Sequence, residues 1–487
     1  MGLSGFVGRE REMAALAGQL HHVRATGQGA FVLVRGRRRV GKSWLAEQFV
    51  LEQRLPHVFF TAAQNRAGGD LERFAEELSR SSLPEEARSP GVTFRDWESA
   101  LVAAASGAHR AAPSVIIIDE FPYLGGGDAD QEKALESLFS AAWERRLSRS
   151  PVLLIVIGSD LAKMERLTEY GRPLFDRPTR TLVLSSLSLS DIATITKLAP
   201  EDVIDTYAIT GGLPAFAMAR RCSDDLETFL QGSLESADTP FVATAARVLD
   251  AEFPPHLEAR RVLSAIGYGE RTRQKISDAV GVKVGNLTAS LGLLVDVKRV
   301  VRVTRPYATR SLNAPLYSIA DPYLRFWLRF VERELPAIER QRTDDVVARI
   351  MDNWPTLRGK LIEPIVRDAL ERMLPDDRLP GARYIGSYWN RKGDLEVDLV
   401  GGDQEHGPRE VTFVGSIKWR DRKPFDSADT KDLIETSQRV PGAGPKTLLV
   451  AVSRSGIDRS ARKIDVSFAP SDLVSSTSPL EQPPATE

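Results

Sequence analysis

The sequence predicts an α/β protein: a parallel sheet interleaved with helices, a helical stretch, a small helix-and-strand module and a second α/β module. Three observations predict it. The apolar run AFVLVRG, Ala30–Gly36, passes through GRRRVGKS, Gly36–Ser43, into the helically spaced SWLAEQFVLEQ. The run SVIIIDEFPYL, Ser114–Leu124, ends consecutive branched aliphatics on two carboxylates. In the last third, RYIGSYWNRKGDLEVDLVGGD and EVTFVGSIKWRD set acids and a lysine on alternating strand positions.

Bulk properties bound the rest. A chain of 487 residues exceeds one core, and its length suggests roughly three domains. The hydrophobic share of 42% and charged share of 27% are those of a globular protein. Net charge is −1, so any nucleic-acid contact must come from a local basic patch. The lone Cys222 excludes a disulfide framework and points to a reducing cytoplasm. No apolar run approaches the roughly 18–20 residues that cross a bilayer, no signal peptide is read at the N-terminus, and MGLSGF lacks the myristoylation pattern, so no membrane partner is expected. The six histidines lack ligand spacing.

GRRRVGKS matches G-x-x-x-x-G-K-[ST], the P-loop of nucleotide-binding α/β folds. Gly36, Arg37, Arg38, Arg39, Val40 and Gly41 turn backbone N–H groups toward phosphate oxygens, Lys42 supplies a point charge, and Ser43 offers a hydroxyl to Mg²⁺. Trp44 follows in the first turn of the helix, whose N-terminal dipole favours an anion. Asp119 and Glu120, delivered to the C-terminal edge of the same sheet, supply the second half: Asp119 for Mg²⁺, Glu120 to polarise the attacking water. PVLLIVIGSD, Pro151–Asp160, is the next core strand. Ser159 sits either as a γ-phosphate sensor or, with Asp160, as the N-cap of LAKMERL. No NKxD box occurs, which favours ATP over GTP.

With these motifs in place, the chain resembles the prokaryotic and archaeal-type P-loop ATPases of the AAA+-like STAND group. The resemblance runs through FVGRERE (Phe6–Glu12), the loop, VIIIDEF, IGSD, PLFDR (Pro173–Arg177), TGGLPAF (Thr210–Phe216) and DPYLRFW (Asp321–Trp327). It implies that Gly8 and Arg9 lie against the adenine and that Arg177 is presented toward the nucleotide as a catalytic arginine beside Lys42 and Glu120. It also implies a helical lid, which SDIATITKL, EDVIDTYAIT and DDLETFLQGSL fit by amphipathic spacing.

From Leu257 three short helical patterns and the alternating VVRVTR read as a winged helix-turn-helix. Its third helix is expected to expose Asn286, Thr288 and Ser290. The wing collects Lys298, Arg302 and Arg305, a distribution suited to DNA phosphates rather than base edges. The alternative is a wing that binds only protein.

The last module resembles the PD-(D/E)xK, restriction-endonuclease-like core. GKLIEPIVRDALERML, Gly359–Leu374, reads as an amphipathic helix carrying Glu363, and Asp394, Glu396 and Asp398 alternate on one strand face, which leaves Glu396 a possible replacement ligand. The resemblance assigns Glu363 to orienting water or metal, Asp398 to metal ligation and Lys418 to phosphate neutralisation. The pattern wants an acid two residues before the lysine, and here stands Ser416, a far weaker Mg²⁺ ligand.

The expected organisation is therefore a P-loop ATPase core over 1–184, a helical lid over 185–250, a winged helix over 251–335, a nuclease-like domain over 336–468 and a disordered tail over 469–487. The expected function is an ATP- and Mg²⁺-using switch that regulates a winged helix and an inactive nuclease-like domain on DNA, with a protein partner and self-association both open. Two alternatives stand: an active Mg²⁺-dependent DNase, and a regulator that binds only proteins.

Overall fold

The structure is a computed structural model that describes residues 6–63, 69–88, 91–126, 128–254, 257–310, 314–405 and 407–475. It divides into two compact units, Met1–Leu187 and Ser188–Glu487.

In the first unit the elements run α1 (Glu10–Thr26), β1 (Ala30–Gly36), α2 (Lys42–Gln53), β2 (His57–Thr61), α3 (Asp70–Arg80), α4 (Trp97–Ala104), β3 (Ser114–Asp119), α5 (Ala129–Arg145), β4 (Val152–Gly158), α6 (Leu161–Arg166) and β5 (Arg180–Leu184). The strands form one sheet in the order β2-β3-β4-β1-β5, parallel throughout. Every residue of β3 and β4 is buried, as continuous Val/Ile/Leu runs covered on both faces demand. The edge strands differ: β2 alternates half-buried with buried residues, and β5 buries only Leu182 and Leu184. On one face Phe60, Phe74, Trp97, Phe121 and Phe139 pack into an aromatic-rich core. Because the strands are parallel, Gly36, Asp119 and Gly158 all end at one sheet edge, with β4 between β1 and β3.

The second unit opens with α7 (Leu189–Thr196), α8 (Pro200–Thr210), α9 (Pro214–Arg221), α10 (Leu226–Ser233) and α11 (Pro240–Glu252). It continues with α12 (Glu258–Tyr268), α13 (Arg273–Val280), α14 (Leu287–Gly292), β6 (Val301–Thr304) and β7 (Leu316–Ile319). Three helices and an antiparallel two-stranded ribbon thus follow in chain order. Then come α15 (Pro322–Phe330), α16 (Leu335–Glu339), α17 (Thr343–Met373), β8 (Tyr384–Trp389), β9 (Glu396–Gly402), β10 (Val411–Lys418), α18 (Ser427–Ser437), β11 (Leu448–Ser453), β12 (Val466–Phe468) and α19 (Pro470–Val474). The second sheet is mixed, in the order β12-β11-β10-β9-β8: β8, β9 and β10 form an antiparallel meander, and β10, β11 and β12 run parallel.

Two of the sequence motifs meet here as packing. Phe216 of TGGLPAF stacks on Tyr323 of DPYLRFW at 4.9 Å, both close on Phe241, and the Tyr323 hydroxyl donates to the Phe241 carbonyl at 2.6 Å. DPYLRFW is a packing helix, with Phe326 and Trp327 wholly buried.

The helices that begin the second unit are tied to its mixed sheet by a buried carboxylate. Asp205 of α8 accepts from Trp419 Nε1 at 2.8 Å and lies 3.2 Å from Arg358 of α17 and 3.4 Å from Arg454. Burial pushes its carboxyl up, and Arg358 and then Arg454 oppose that. Such a charge is tolerated because its oxygens are paired; removal of one partner from a buried pair costs roughly 3–5 kcal/mol.

Three sequence expectations are corrected. The expected disordered tail starts as structure: Pro470–Val474 is helical with Leu473 and Val474 buried, and residues 476–487 lie outside the described residues. The helix that carries Glu363 begins at Thr343, well before Gly359, and continues through Pro355 and Pro364. Asp394 is off the strand, in the turn before β9, held by Asn390 at 2.6 Å and Arg439 at 2.8 Å.

Candidate functional sites

The loop between β1 and α2 is shaped by two glycines. A Cβ on Gly36 would meet the Leu184 carbonyl oxygen at 2.5 Å, so only glycine lets the loop leave beside β5. Gly41 adopts φ 92°, which aims the chain into α2. Val40, Lys42 and Phe49 are buried, and Phe6 packs edge-on against Trp44 at 5.6 Å. Arg9, itself at φ 72°, donates to the Val40 carbonyl at 2.9 Å and the Ser185 carbonyl at 2.6 Å. The FVGR segment thus braces the phosphate loop through backbone contacts. Sequence reasoning placed Gly8 and Arg9 by resemblance alone and missed this brace, whose partner Ser185 is far away in the chain.

Lys42 donates to the carbonyls of Gly36 and Arg37, each at 2.9 Å, folding over its own loop. Burial lowers its pKa to about 8, although Glu120 and then Asp119 favour the charge. Ser43 Oγ donates to Asp119 Oδ2 at 2.6 Å. Burial pushes the Asp119 carboxyl up, and the Ser43 hydrogen bond works against it. Glu120 stands at φ 52° and donates its backbone N–H to Asp119 Oδ1 at 2.9 Å. Ser159 Oγ donates to Glu120 Oε2 at 2.7 Å, while Asp160 caps α6 by accepting from the Lys163 N–H at 3.0 Å. Of the two expectations for Ser159-Asp160, the helix cap falls to Asp160. Arg38 bonds the Tyr123 hydroxyl and lies 6.0 Å from its ring centre, a contact that sequence reasoning missed because Tyr123 carries no motif of its own.

Arg177, which the resemblance turns toward the nucleotide, pairs here with Glu144 near the C-terminal end of α5.

The depressed Lys42 pKa has a measurable consequence. An ATP polyphosphate needs the ammonium form, so binding restores the proton. Above the value of about 8, ATP binding should take up close to one proton and weaken as pH rises. Calorimetry at pH 9 in buffers of different ionisation enthalpy reads this directly, and an absence of proton uptake would count against it. The folded pKa lies below the unfolded 10.5, so the unfolded chain holds more protons and Lys42's contribution to stability rises with pH between about 8 and 10.5.

In the second unit, Glu363 on α17, Asp398 on β9 and Ser416 on β10 come together. Ser416 Oγ and the Ile417 N–H both donate to Asp398 Oδ2, at 3.2 and 2.8 Å. Burial and the charge of Asp398 push the Glu363 carboxyl up. Ser416 and Lys418 share the half-buried face of β10 as alternation requires, but Lys418 turns to Asp429 at 4.0 Å. Glu396, on the face of Asp398, is paired with Arg271 at 3.1 Å and Lys360 at 3.2 Å. Among the described residues no group of three or more His, Cys, Asp or Glu side chains is placed to hold a metal ion. The donor set does not fit Mg²⁺ there, whereas the Ser43 hydroxyl and Asp119 carboxylate, 2.6 Å apart at the phosphate loop, do.

Around the ribbon, Asn286 and Thr288 are exposed as expected, but Ser290 is buried and donates to Glu258 at 2.9 Å. Lys298 pairs with Glu252 at 3.4 Å, Arg302 pairs with Asp368 at 3.3 Å, and Arg305 is exposed.

The fold and loop of the first unit define an archaeal-type ATPase domain with a P-loop NTPase core. Residues 6–217 match the family described as an ATPase domain predominantly from Archaea, and residues 327–432 match a second, described as archaeal and bacterial proteins of unknown function. The second match takes in Glu363, Asp398, Ser416 and Lys418, and neither reaches residues 218–326. An uncharacterized protein of Methanocaldococcus jannaschii is 26% identical over 426 residues, 86% of this chain and 89% of its own length. Among solved structures, a Walker-type ATPase of Pyrococcus abyssi is 18% identical with a TM-score of 0.49, covering 66% of this chain and 96% of that one. The ORC2 protein of Aeropyrum pernix, solved with ADPNP and ADP, is 15% identical with a TM-score of 0.47, covering 72% and 97%. Among the described residues no single helix is long and apolar enough to cross a membrane.

Proposed function

We propose that this ATPase is a cytoplasmic switch of the STAND group, whose nucleotide state regulates a winged helix and a nuclease-like module that does not cut. The observation that carries the reading is the chain of contacts Ser43–Asp119 and Glu120–Ser159 beside a buried Lys42. Mg²⁺ bound with ATP supplies charge neutralisation at the outer phosphates. Lys42 leaves its carbonyl partners for the phosphate oxygens, Ser43 and Asp119 orient the metal side of the site, and Glu120 accepts the proton of the attacking water. Ser159 holds the Glu120 carboxylate by one hydrogen bond, and a γ-phosphate that draws the hydroxyl away frees the base. Arg177, paired with Glu144, would act only after exchanging that partner, as assembly with a second copy could bring about.

The order α17-β8-β9-β10-α18-β11 supports the nuclease-like reading, because it sets an acid-bearing helix before a meander and a lysine at the end of its third strand. The three helices and ribbon of 258–319 support the winged helix. DNA contact through Lys298, Arg302 and Arg305 requires the first two to leave half-exposed acid partners, a cost of about 0–1 kcal/mol each. Replacing all three with alanine should weaken duplex binding with little sequence dependence and flatten its salt slope by about 0.9 for each phosphate no longer neutralised. A fluorescence titration at several salt concentrations measures this. Binding indifferent to both salt and the substitutions removes the wing as a DNA surface. The ion pairs of Lys298 and Arg302 favour a second reading, a wing that docks protein only, and a flat parental titration would select it.

A further inference from the structure

We infer that the ammonium of Lys360 stands in place of a divalent cation in the second unit, neutralising Glu363 and Glu396 so that the module needs no metal. The inference rests on the nuclease-like reading above. Lys360, Glu363 and Arg367 lie three and four residues apart on α17 and so share one helix face. Lys360 Nζ is 3.1 Å from Glu363 Oε1 and 3.2 Å from Glu396 Oε2, so it bridges the helix to the first residue of β9. The other oxygen of Glu396 is taken by Arg271, which reaches it at 3.1 Å from the segment between α12 and α13. Asp398 spends one oxygen on the Ser416 hydroxyl and the Ile417 N–H, and Arg367 donates to its backbone carbonyl at 3.0 Å.

Charge balances without a metal: the carboxylates of Glu363, Glu396 and Asp398 face the cations of Lys360, Arg271 and Arg367. Mg²⁺ demands near-octahedral oxygens at about 2.0–2.1 Å, a shell that a serine in place of an acid does not complete. An ammonium makes lesser demands, reaching carboxylates at ordinary hydrogen-bond distance on a flexible stem.

The test is Mn²⁺ binding to the nucleotide-free full-length protein, followed by electron paramagnetic resonance, with Asp398→Asn in every background to isolate this site. The parent should show no Asp398-dependent Mn²⁺. Lys360→Ala and Lys360→Gln should each gain it, at least about tenfold tighter than any parental binding, and Lys360→Arg should behave as the parent. Lys360 is half exposed, and glutamine keeps its stem and a donor, so a folded uncharged variant is at hand. Asp398-dependent Mn²⁺ in the parent overturns the inference, as does a folded Lys360→Gln that binds no better than the parent. A double variant, Lys360→Ala with Ser416→Glu, separates the two failures. Should it bind Mn²⁺ when the single variants do not, Lys360 is no substitute but the nuclease-like reading stands. Should it also bind none, that reading falls too.

Discussion

Lys42→Ala is expected to weaken ATP binding by about 10²-fold, whereas Glu120→Gln should keep binding and lose turnover by about 10²–10⁴-fold. The two residues act on different charges. Lys42 neutralises phosphate oxygens already present in bound ATP, and its buried ammonium gives up the Gly36 and Arg37 carbonyls for them. Glu120 acts on a proton that moves only during hydrolysis, so its loss is felt in turnover. Glutamine is isosteric and still accepts from Ser159 across the 2.7 Å contact, so what is lost is the carboxylate's charge and basicity. Equilibrium binding of a fluorescent ATP analogue and steady-state phosphate release separate the two effects. Hydrolysis at the parental rate by the Glu120 variant would withdraw its role as base.

The second large effect is a gain. Ser416→Glu should create Mg²⁺-dependent nicking of plasmid, and Asp398→Ala in that background should erase it. Ser416 Oγ lies 3.2 Å from Asp398 Oδ2, so a longer acid at 416 sets two carboxylates side by side on neighbouring strands. Without a divalent cation they repel, and the variant should melt at lower temperature than the parent. With Mg²⁺ they share the ion, and the melting temperature should recover. Lys360 must then yield its place, which its flexible, half-exposed side chain allows. Robust parental cleavage stopped by Asp398→Ala would mean that another carboxylate, Glu396 foremost, completes the site after leaving Arg271 and Lys360. An inert Ser416→Glu would mean that the module has departed from the nuclease pattern by more than one ligand.

What the sequence determined by itself is the set of features whose partners are near in the chain or whose chemistry is periodic. Loop residues Gly36–Ser43 carry their own geometry, since a phosphate cradle is built from consecutive backbone N–H groups. The runs Val115–Ile118 and Val152–Ile157 announce strands buried on both faces, and parallel pairing carries Asp119 and Ser159 to the edge where the loop lies. Alternation in β10 likewise sets Ser416 beside Lys418, and the missing acid is visible in three letters.

Tertiary structure alone decided which charges meet. Arg9 with Ser185, Arg271 with Glu396, Arg302 with Asp368 and Asp205 with Arg358 are each more than sixty residues apart, and no local period records such a pairing. The basic wing read from composition is partly neutralised for that reason, and Glu396, a spare ligand by strand parity, is already held. It likewise decided that Arg177 faces Glu144 and that helices read as a separate lid share one compact unit with the mixed sheet. The physical reason is the same throughout. Backbone propensity and hydrophobic period act over a few residues, whereas an ion pair is chosen by whichever opposite charge the folded chain brings within about 4 Å.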